Sequence, residues 1–117
     1  MKYLCLIYEN EKNWEHYTKE QGDAMSREYF VYTEDITKSG HMIGGEALQP
    51  TATATTVRVR NGKVSTTDGP FAETKEQLGG YYLIEAKDLN EAIQVASRIP
   101  SAKLGAIEVR PVREHNV

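Results

Sequence analysis

The chain has 117 residues and a formal net charge of -3. That length fits one domain with one hydrophobic core. The acidic balance argues against nucleic-acid binding, because such binding depends on clustered Lys and Arg side chains. We therefore predict a single domain spanning residues 1–117, with no nucleic-acid partner.

The first apolar run, Tyr3 to Tyr8, is too short for a membrane span or for the core of a signal peptide. We therefore expect a cytoplasmic protein with no membrane partner. The single cysteine, Cys5, lies inside this run and cannot form an internal disulfide. It is expected to be a small buried side chain.

The first half of the chain predicts a strand followed by a helix. Residues 3–8 are apolar at odd and even positions alike, which is typical of a strand covered on both faces. Residues 9–17 are polar and predict a loop, with Trp14 packing back onto the domain. Thr18 and Gln21 have the spacing of a capping box, so a helix is expected over about 19–39, ending at Gly40. Its apolar face consists of Met25, Tyr29, Tyr32 and Ile36.

The middle of the chain predicts a short strand and a hairpin. Residues 42–48 form the strand, with a bulge allowed by Gly44 and Gly45. Apolar and cationic residues alternate over 57–60, as in a half-buried strand. Asn61-Gly62 suits a type I′ turn, so residues 63–66 are expected to return as the antiparallel partner.

The last third predicts a strand, a helix and a final strand. Residues 81–84 are apolar on both faces, like the first strand. Asp88 and Glu91 have capping-box spacing, and a helix is expected over about 89–99, ending before Pro100. Its predicted apolar stripe consists of Leu89, Ala92, Ile93, Ala96 and Ile99. Residues 106–112 alternate as a strand with one wet face.

This order of elements predicts an α+β, ferredoxin-like βαββαβ domain with an inserted hairpin and both helices on one face of the sheet. Strands 3–8 and 81–84 are apolar on both faces, so something must also cover the other face. A second copy of the chain is the simplest cover, and a homodimer of the dimeric α/β-barrel type is expected. A larger homo-oligomer remains open.

Four segments carry a resemblance to a known family. They are Leu48-Gln49-Pro50, Ala54-Thr55-Thr56-Val57-Arg58, Thr67-Asp68-Gly69-Pro70-Phe71-Ala72-Glu73-Thr74-Lys75-Glu76 and Gly79-Gly80-Tyr81-Tyr82. The chain resembles the DGPF branch of the YCII-related family. The resemblance implies a dimeric α+β barrel. It also implies two kinds of relative: lyase- or dehalogenase-like enzymes with a His and Asp pair, and domains that accompany extracytoplasmic-function sigma factors.

Three residues are candidates for catalysis. The resemblance implies Asp68 as the Asp of the pair, and His16 is the nearest residue to the histidine of the relatives. An Asp that orients a His makes a general base. The alternative is that Asp68-Gly69-Pro70 only forms a turn, with the carboxylate accepting from its own backbone. Glu46 lies in a small, apolar strand, either as a cleft carboxylate or in a salt bridge with Arg58 or Arg60.

The candidate ligand-binding residues are Arg58, Phe71, Glu73 and Tyr81. For Tyr81 and the other core tyrosines, packing is the alternative to lining a pocket.

His41, directly after Gly40, is interpreted as a helix cap and His115 as part of the tail. The scattered histidines predict no metal site, and Gly79-Gly80 opens a strand rather than a phosphate loop, so no cofactor is expected.

Two functions remain open from the sequence. One is an enzyme that binds a small organic substrate in a dimer-associated cleft and transfers a proton through Asp68, with His16 or Glu46. The other is a non-catalytic ligand-binding or regulatory module linked to sigma-factor systems. The fold class hosts both kinds of protein.

Overall fold

A computed structural model describes residues 1–114 of the chain, and His115 lies outside them. In chain order the elements are β1 (Lys2–Glu9), α1 (Lys12–Glu15), α2 (Lys19–Lys38), β2 (Met42–Ala47), β3 (Thr55–Arg60), β4 (Lys63–Asp68), β5 (Gln77–Glu85), α3 (Leu89–Ser97) and β6 (Ala106–Pro111). Two 3-10 turns, Thr51–Thr53 and Pro100–Lys103, precede β3 and β6. Within this part of the chain no helix is both long and apolar enough to cross a membrane.

The strands form two antiparallel sheets. The main sheet has four strands in the order β2-β5-β1-β6, and β3 and β4 form a separate hairpin. With the hairpin set aside, the order of the main sheet is that of a ferredoxin-like fold. The predicted α+β class is therefore confirmed, and β1 lies in the middle of the sheet between β5 and β6.

The core lies between one face of the main sheet and the helices. Tyr3, Cys5 and Ile7 of β1 point to this face and pack in one cluster with Tyr32 and Ile36 of α2. The α3 residues in the same cluster are Ala92, Val95 and Ala96, followed by Ile99. Burying a side chain as large as Ile or Phe is worth about 1.5–3 kcal/mol, so this cluster holds the helices on the sheet.

The predicted stripe on α3 was partly wrong. Leu89 and Ile93 are 49% and 48% exposed, whereas Val95 is buried. The buried face of α3 consists of residues 92, 95 and 96. The helix ends at Ser97, so the buried Ile99 lies beyond it, just before the 3-10 turn. Only half of the second predicted capping box forms. Asp88 accepts from the backbone N–H of Glu91, but the Glu91 side chain contacts His41 instead of the backbone N–H of Asp88.

Local turn and cap predictions around α2 and the hairpin are confirmed. Thr18 and Gln21 exchange both hydrogen bonds of a capping box, and Gly40 adopts a φ of +82° after the helix. Asn61 and Gly62 have φ values of 51° and 74°, as a type I′ turn requires. The predicted loop over 9–17 differs, because Lys12–Glu15 forms a short helix.

The second face of the main sheet is covered less completely than the core face. Leu4 pairs with Leu83 and Leu6 with Tyr81, so these four side chains share that face, and all four are only half-buried. We call this set of four side chains the open sheet face.

Candidate functional site

A cavity of about 420 Å³ lies between α2 and the β2–β5 side of the main sheet. Its lining residues are Ile7, Trp14, Met25, Ser26, Tyr29, Thr33, Met42, Gly45, Glu46, Ala47, Gly79, Gly80, Tyr81 and Tyr82. A site of this kind, concave and largely apolar with a few hydroxyl groups, suits a small organic ligand.

Two glycines, where β2 pairs with β5, make room for the cavity. A Cβ atom on Gly45 would lie 2.8 Å from the carbonyl oxygen of Tyr81, and one on Gly80 would lie 2.8 Å from that of Glu46. These distances are below normal contact, so both positions require the close approach that glycine allows. With no side chain at either position, that part of the wall is bare backbone.

Hydroxyl groups supply the polar contacts around the cavity. The Tyr82 and Thr33 hydroxyl oxygens lie 2.7 Å apart, and those of Tyr29 and Ser101 lie 2.5 Å apart. Desolvation raises the pKa of Tyr29 and of Tyr82 above the usual value, and the hydrogen bonds from Ser101 and Thr33 oppose that shift. Both phenols therefore stay protonated at neutral pH and are able to donate to a ligand.

The segment before α2 closes one side of the cavity. Trp14 of α1 lines it, and the Trp14 and Tyr17 ring centroids lie 6.1 Å apart. The Glu11 carboxylate accepts from the backbone N–H of Thr51 at 2.7 Å and from its hydroxyl at 2.9 Å. Glu11 therefore ties the start of α1 to the turn that leads into the hairpin.

The three predicted catalytic residues lie on three separate elements. Glu46 is on β2, opposite Tyr81 in the strand register. Both residues border the cavity, but their side chains share the open sheet face, which is opposite to the helices. His16 is the exposed residue that ends α1, and Asp68 is the exposed last residue of β4, paired with Thr55. Within residues 1–114, no side-chain hydrogen bond or ion pair joins any two of His16, Glu46 and Asp68. The His and Asp pair stays a prediction.

The turn after β4 is held by residues other than the Asp68 carboxylate. The Gly69 N–H donates to the Ala54 carbonyl at 2.7 Å, and the Thr56 hydroxyl donates to the Gly69 carbonyl at 2.8 Å. Gly69 has a φ of +109°, which favours glycine. Among the described residues the Asp68 side chain accepts no hydrogen bond, so its role in the turn and its role in catalysis both stay predictions. Its carboxylate is left exposed.

The predicted ligand-binding residues divide between the hairpin region and the cavity. The Arg58 guanidinium lies 5.5 Å from the ring centroid of Phe71, which is itself 78% exposed. Glu73 is exposed in the loop that follows, and Tyr81 lines the cavity. The salt bridge of Glu46 with Arg58 or Arg60, one of the two alternatives for this carboxylate, is not among the ion pairs of residues 1–114.

Most of the cavity wall was missed from the sequence. Met25 and Tyr29 were recognised as one face of α2 but were interpreted as core packing. Trp14 was expected to pack on the domain, and its isolation in a polar segment was the available signal. Thr33 and Ser26 carry no sequence signal of their own. No group of three or more His, Cys, Asp or Glu side chains within the described residues is arranged to hold a metal ion.

Comparison with known proteins places the chain in a family. A relative from Rhizobium meliloti (strain 1021), an uncharacterised protein, is 36% identical over 114 residues, covering 96% of this chain and 92% of the relative. The solved structure of 5-chloro-2-hydroxyhydroquinone dehydrochlorinase (TftG) from Burkholderia phenoliruptrix AC1100, in complex with 2,5-dihydroxybenzoquinone, aligns with a TM-score of 0.56. It is 15% identical, covers 98% of this chain and 96% of its own, and shows a shared fold. The sequence model of the YCII-related domain matches residues 1–116, so the chain belongs to the YCII-related domain family.

Proposed function

We propose that this chain binds a small, partly aromatic organic molecule in the cavity between α2 and the sheet. The observation that carries the proposal is the cavity itself: about 420 Å³, with bare backbone at Gly45 and Gly80 and apolar walls from Trp14 and Met25. The phenol groups of the site supply donors for a hydroxyl or carbonyl group of the ligand. The assignment to the DGPF branch, carried by residues 68–71, remains part of the proposal.

We further propose that the bound molecule undergoes proton transfer, as in an elimination. The related fold of a dehydrochlorinase supports this class of reaction. Removing hydrogen chloride requires a base that accepts a proton, and a carboxylate beside the cavity meets that requirement. Glu46 borders the cavity on the edge strand β2, with its side chain on the side of the open sheet face, so we assign it the role of base for a ligand that reaches this edge. Asp68 and His16 remain candidates for assisting it from a second copy of the chain.

The homodimer expected from the sequence is part of this proposal. Leucine and tyrosine side chains of the open sheet face are half-buried, which supports a partner that covers them. The partner we propose is a second copy of the chain.

A non-catalytic ligand-binding or regulatory module is the second candidate. It is favoured by one observation: within residues 1–114 no contact unites the three predicted catalytic side chains. Such a module would bind the same ligand without turning it over. Measuring product formation alongside binding therefore separates the two functions.

Fluorescence offers a direct test, because Trp14 is the only tryptophan of the chain and lines the cavity. We expect 2,5-dihydroxybenzoquinone to quench its emission in a saturable manner. Ala47→Leu should abolish that effect by filling the cavity, whereas the exposed control Ala52→Leu should not. Equal quenching in wild type and Ala47→Leu would contradict the assignment of the cavity.

Native mass spectrometry of gently purified protein complements this test. It reports the number of subunits and any small molecule that co-purifies. Glu46→Gln should retain binding but lose turnover if the protein is an enzyme. A protein that neither carries a co-purified molecule nor binds the quinone would contradict the proposed function.

A further inference from the structure

The β3–β4 hairpin carries an apolar face that no other part of residues 1–114 covers. In its register Val59 lies opposite Val64, and Val57 lies opposite Thr66, so the three valines share one face. They are 60% (Val57), 56% (Val59) and 70% (Val64) exposed. Arg58 and Arg60 alternate with these valines and therefore lie on the opposite face. We call the three valines the valine face.

A hairpin of this kind is not expected to stand alone in water. An isolated two-stranded hairpin is marginally stable at best, and it needs further strands or packing on an apolar face. Within residues 1–114 the hairpin pairs with no other strand. Its valine face therefore indicates a covering surface that residues 1–114 of the same copy do not supply.

The size of the exposed surface gives the same indication. The accessible surface is 8550 Å² for 13.2 kDa, whereas a compact monomer of that mass exposes about 6,400 Å². The radius of gyration is 16.3 Å, against about 13 Å for a compact domain of this length. The excess of roughly 2,000 Å² per chain is larger than the roughly 800 Å² that each partner buries in a standard interface and falls in the range of obligate dimers.

We propose that the hairpin is an intersubunit arm whose valine face packs on the open sheet face of a second copy of this chain. The inference rests on the homodimer of the proposed function and names the segment that forms it. Both surfaces are apolar and belong to the same chain, so a two-fold axis lets each copy cover the other reciprocally. The opposite face of the hairpin, which carries Arg58 and Arg60, then faces solvent or the edge of the interface with the second copy.

A charge placed on the valine face tests the arm. Val59→Lys is expected to raise the dissociation constant of the dimer by about 30-fold or more, the size of effect seen when a buried interface residue is lost. The matched control is Ser65→Lys, which adds the same charge to the opposite face of the same hairpin. Dissociation is measured by light scattering after size exclusion over a dilution series, and Trp14 fluorescence checks that the domain remains folded.

Photo-crosslinking identifies the surface that the arm contacts. A photoreactive amino acid replaces Val64, and mixtures of light and heavy nitrogen-labelled protein distinguish crosslinks between copies from those within one copy. We expect crosslinked species of dimer mass that join the hairpin to peptides of β1 and β5. Crosslinks within one copy, or to another surface of the partner, would overturn the proposal.

The outcomes separate this inference from the proposed function. A wild-type dimer that survives Val59→Lys overturns the arm and leaves the homodimer intact. A wild-type monomer overturns both the arm and the homodimer, while quinone binding reported by Trp14 still tests the cavity independently. Loss of the dimer in Val59→Lys but not in Ser65→Lys supports the arm.

Discussion

The hydroxyl oxygens of Thr33 on α2 and Tyr82 on β5 lie 2.7 Å apart, joining the helix to the sheet beside the cavity. The Tyr82 ring also packs edge-on against Tyr32, with centroids 5.2 Å apart. The Tyr32 hydroxyl in turn donates to the carbonyl oxygen of Val95 on α3. Polar and aromatic contacts therefore fix the separation between helix and sheet that keeps the cavity open.

Replacing Tyr82 with Phe is expected to lower the free energy of unfolding by about 1 kcal/mol, the typical net value of one buried hydrogen bond. Urea denaturation followed by Trp14 fluorescence measures the loss. Tyr8→Phe is the matched control, because the half-buried Tyr8 hydroxyl makes no hydrogen bond within residues 1–114. Similar losses in the two variants would show that the Thr33 contact does not stabilise the fold.

Gly45→Ala is expected to destabilise the protein by about 1–3 kcal/mol, the usual cost of overpacking. The added methyl group would lie 2.8 Å from the Tyr81 carbonyl oxygen and 3.0 Å from Cδ1 of Tyr82. Gly44→Ala is its control on the same strand, since a Cβ there meets nothing within 4 Å. The thermal midpoint of the two variants should therefore differ, and equal midpoints would mean that β2 shifts freely away from β5.

Local rules predicted the parts of this fold that depend on few residues. The capping box at Thr18 and the turn at Asn61 are decided by neighbours in sequence, so the sequence alone was sufficient. The exposure of Leu89 on α3 depends instead on how that helix sits against the sheet. The cavity depends on missing side-chain volume at Gly45 across from Tyr82, which no pattern along a single strand reveals.

The buried tyrosines should make the protein sensitive to alkali. Burial raises the pKa of Tyr29, Tyr32 and Tyr82 in the folded state above the ordinary value near 10. The folded state then holds protons that the unfolded state loses, so this contribution to stability is complete below about pH 10 and declines as pH rises further. Urea midpoints at pH 8, 10 and 11 should fall only above about pH 10. Tyr82→Phe should make this decline smaller. An unchanged urea midpoint at pH 11 would contradict the raised pKa of these tyrosines in the folded state.

Cys5 should be chemically silent in the native protein. The residue is fully buried, and burial raises the pKa of its thiol to about 11. Because the thiolate is the reactive form, the native protein should not react with Ellman's reagent at pH 8, whereas denatured protein should react at once. Ser97→Cys, at an exposed position on α3, is the positive control. Rapid reaction of native wild type would indicate that the β1 core opens readily.

Glu91 and His41 form a contact that links the end of α2 to the start of α3. The His41 Nε2 and Glu91 Oε1 atoms lie 3.0 Å apart, while His41 Nδ1 lies 2.6 Å from the Ser39 hydroxyl. Glu91→Ala should therefore cost about 1 kcal/mol of unfolding free energy, whereas Gln94→Ala, on the exposed side of the same helix, should cost little. The double variant tests the link itself. Its loss of unfolding free energy should be smaller than the summed losses of Glu91→Ala and His41→Ala by about 0.5 kcal/mol or more. Strict additivity would mean that each side chain acts only within its own helix end, and that the contact does not hold the two helices together.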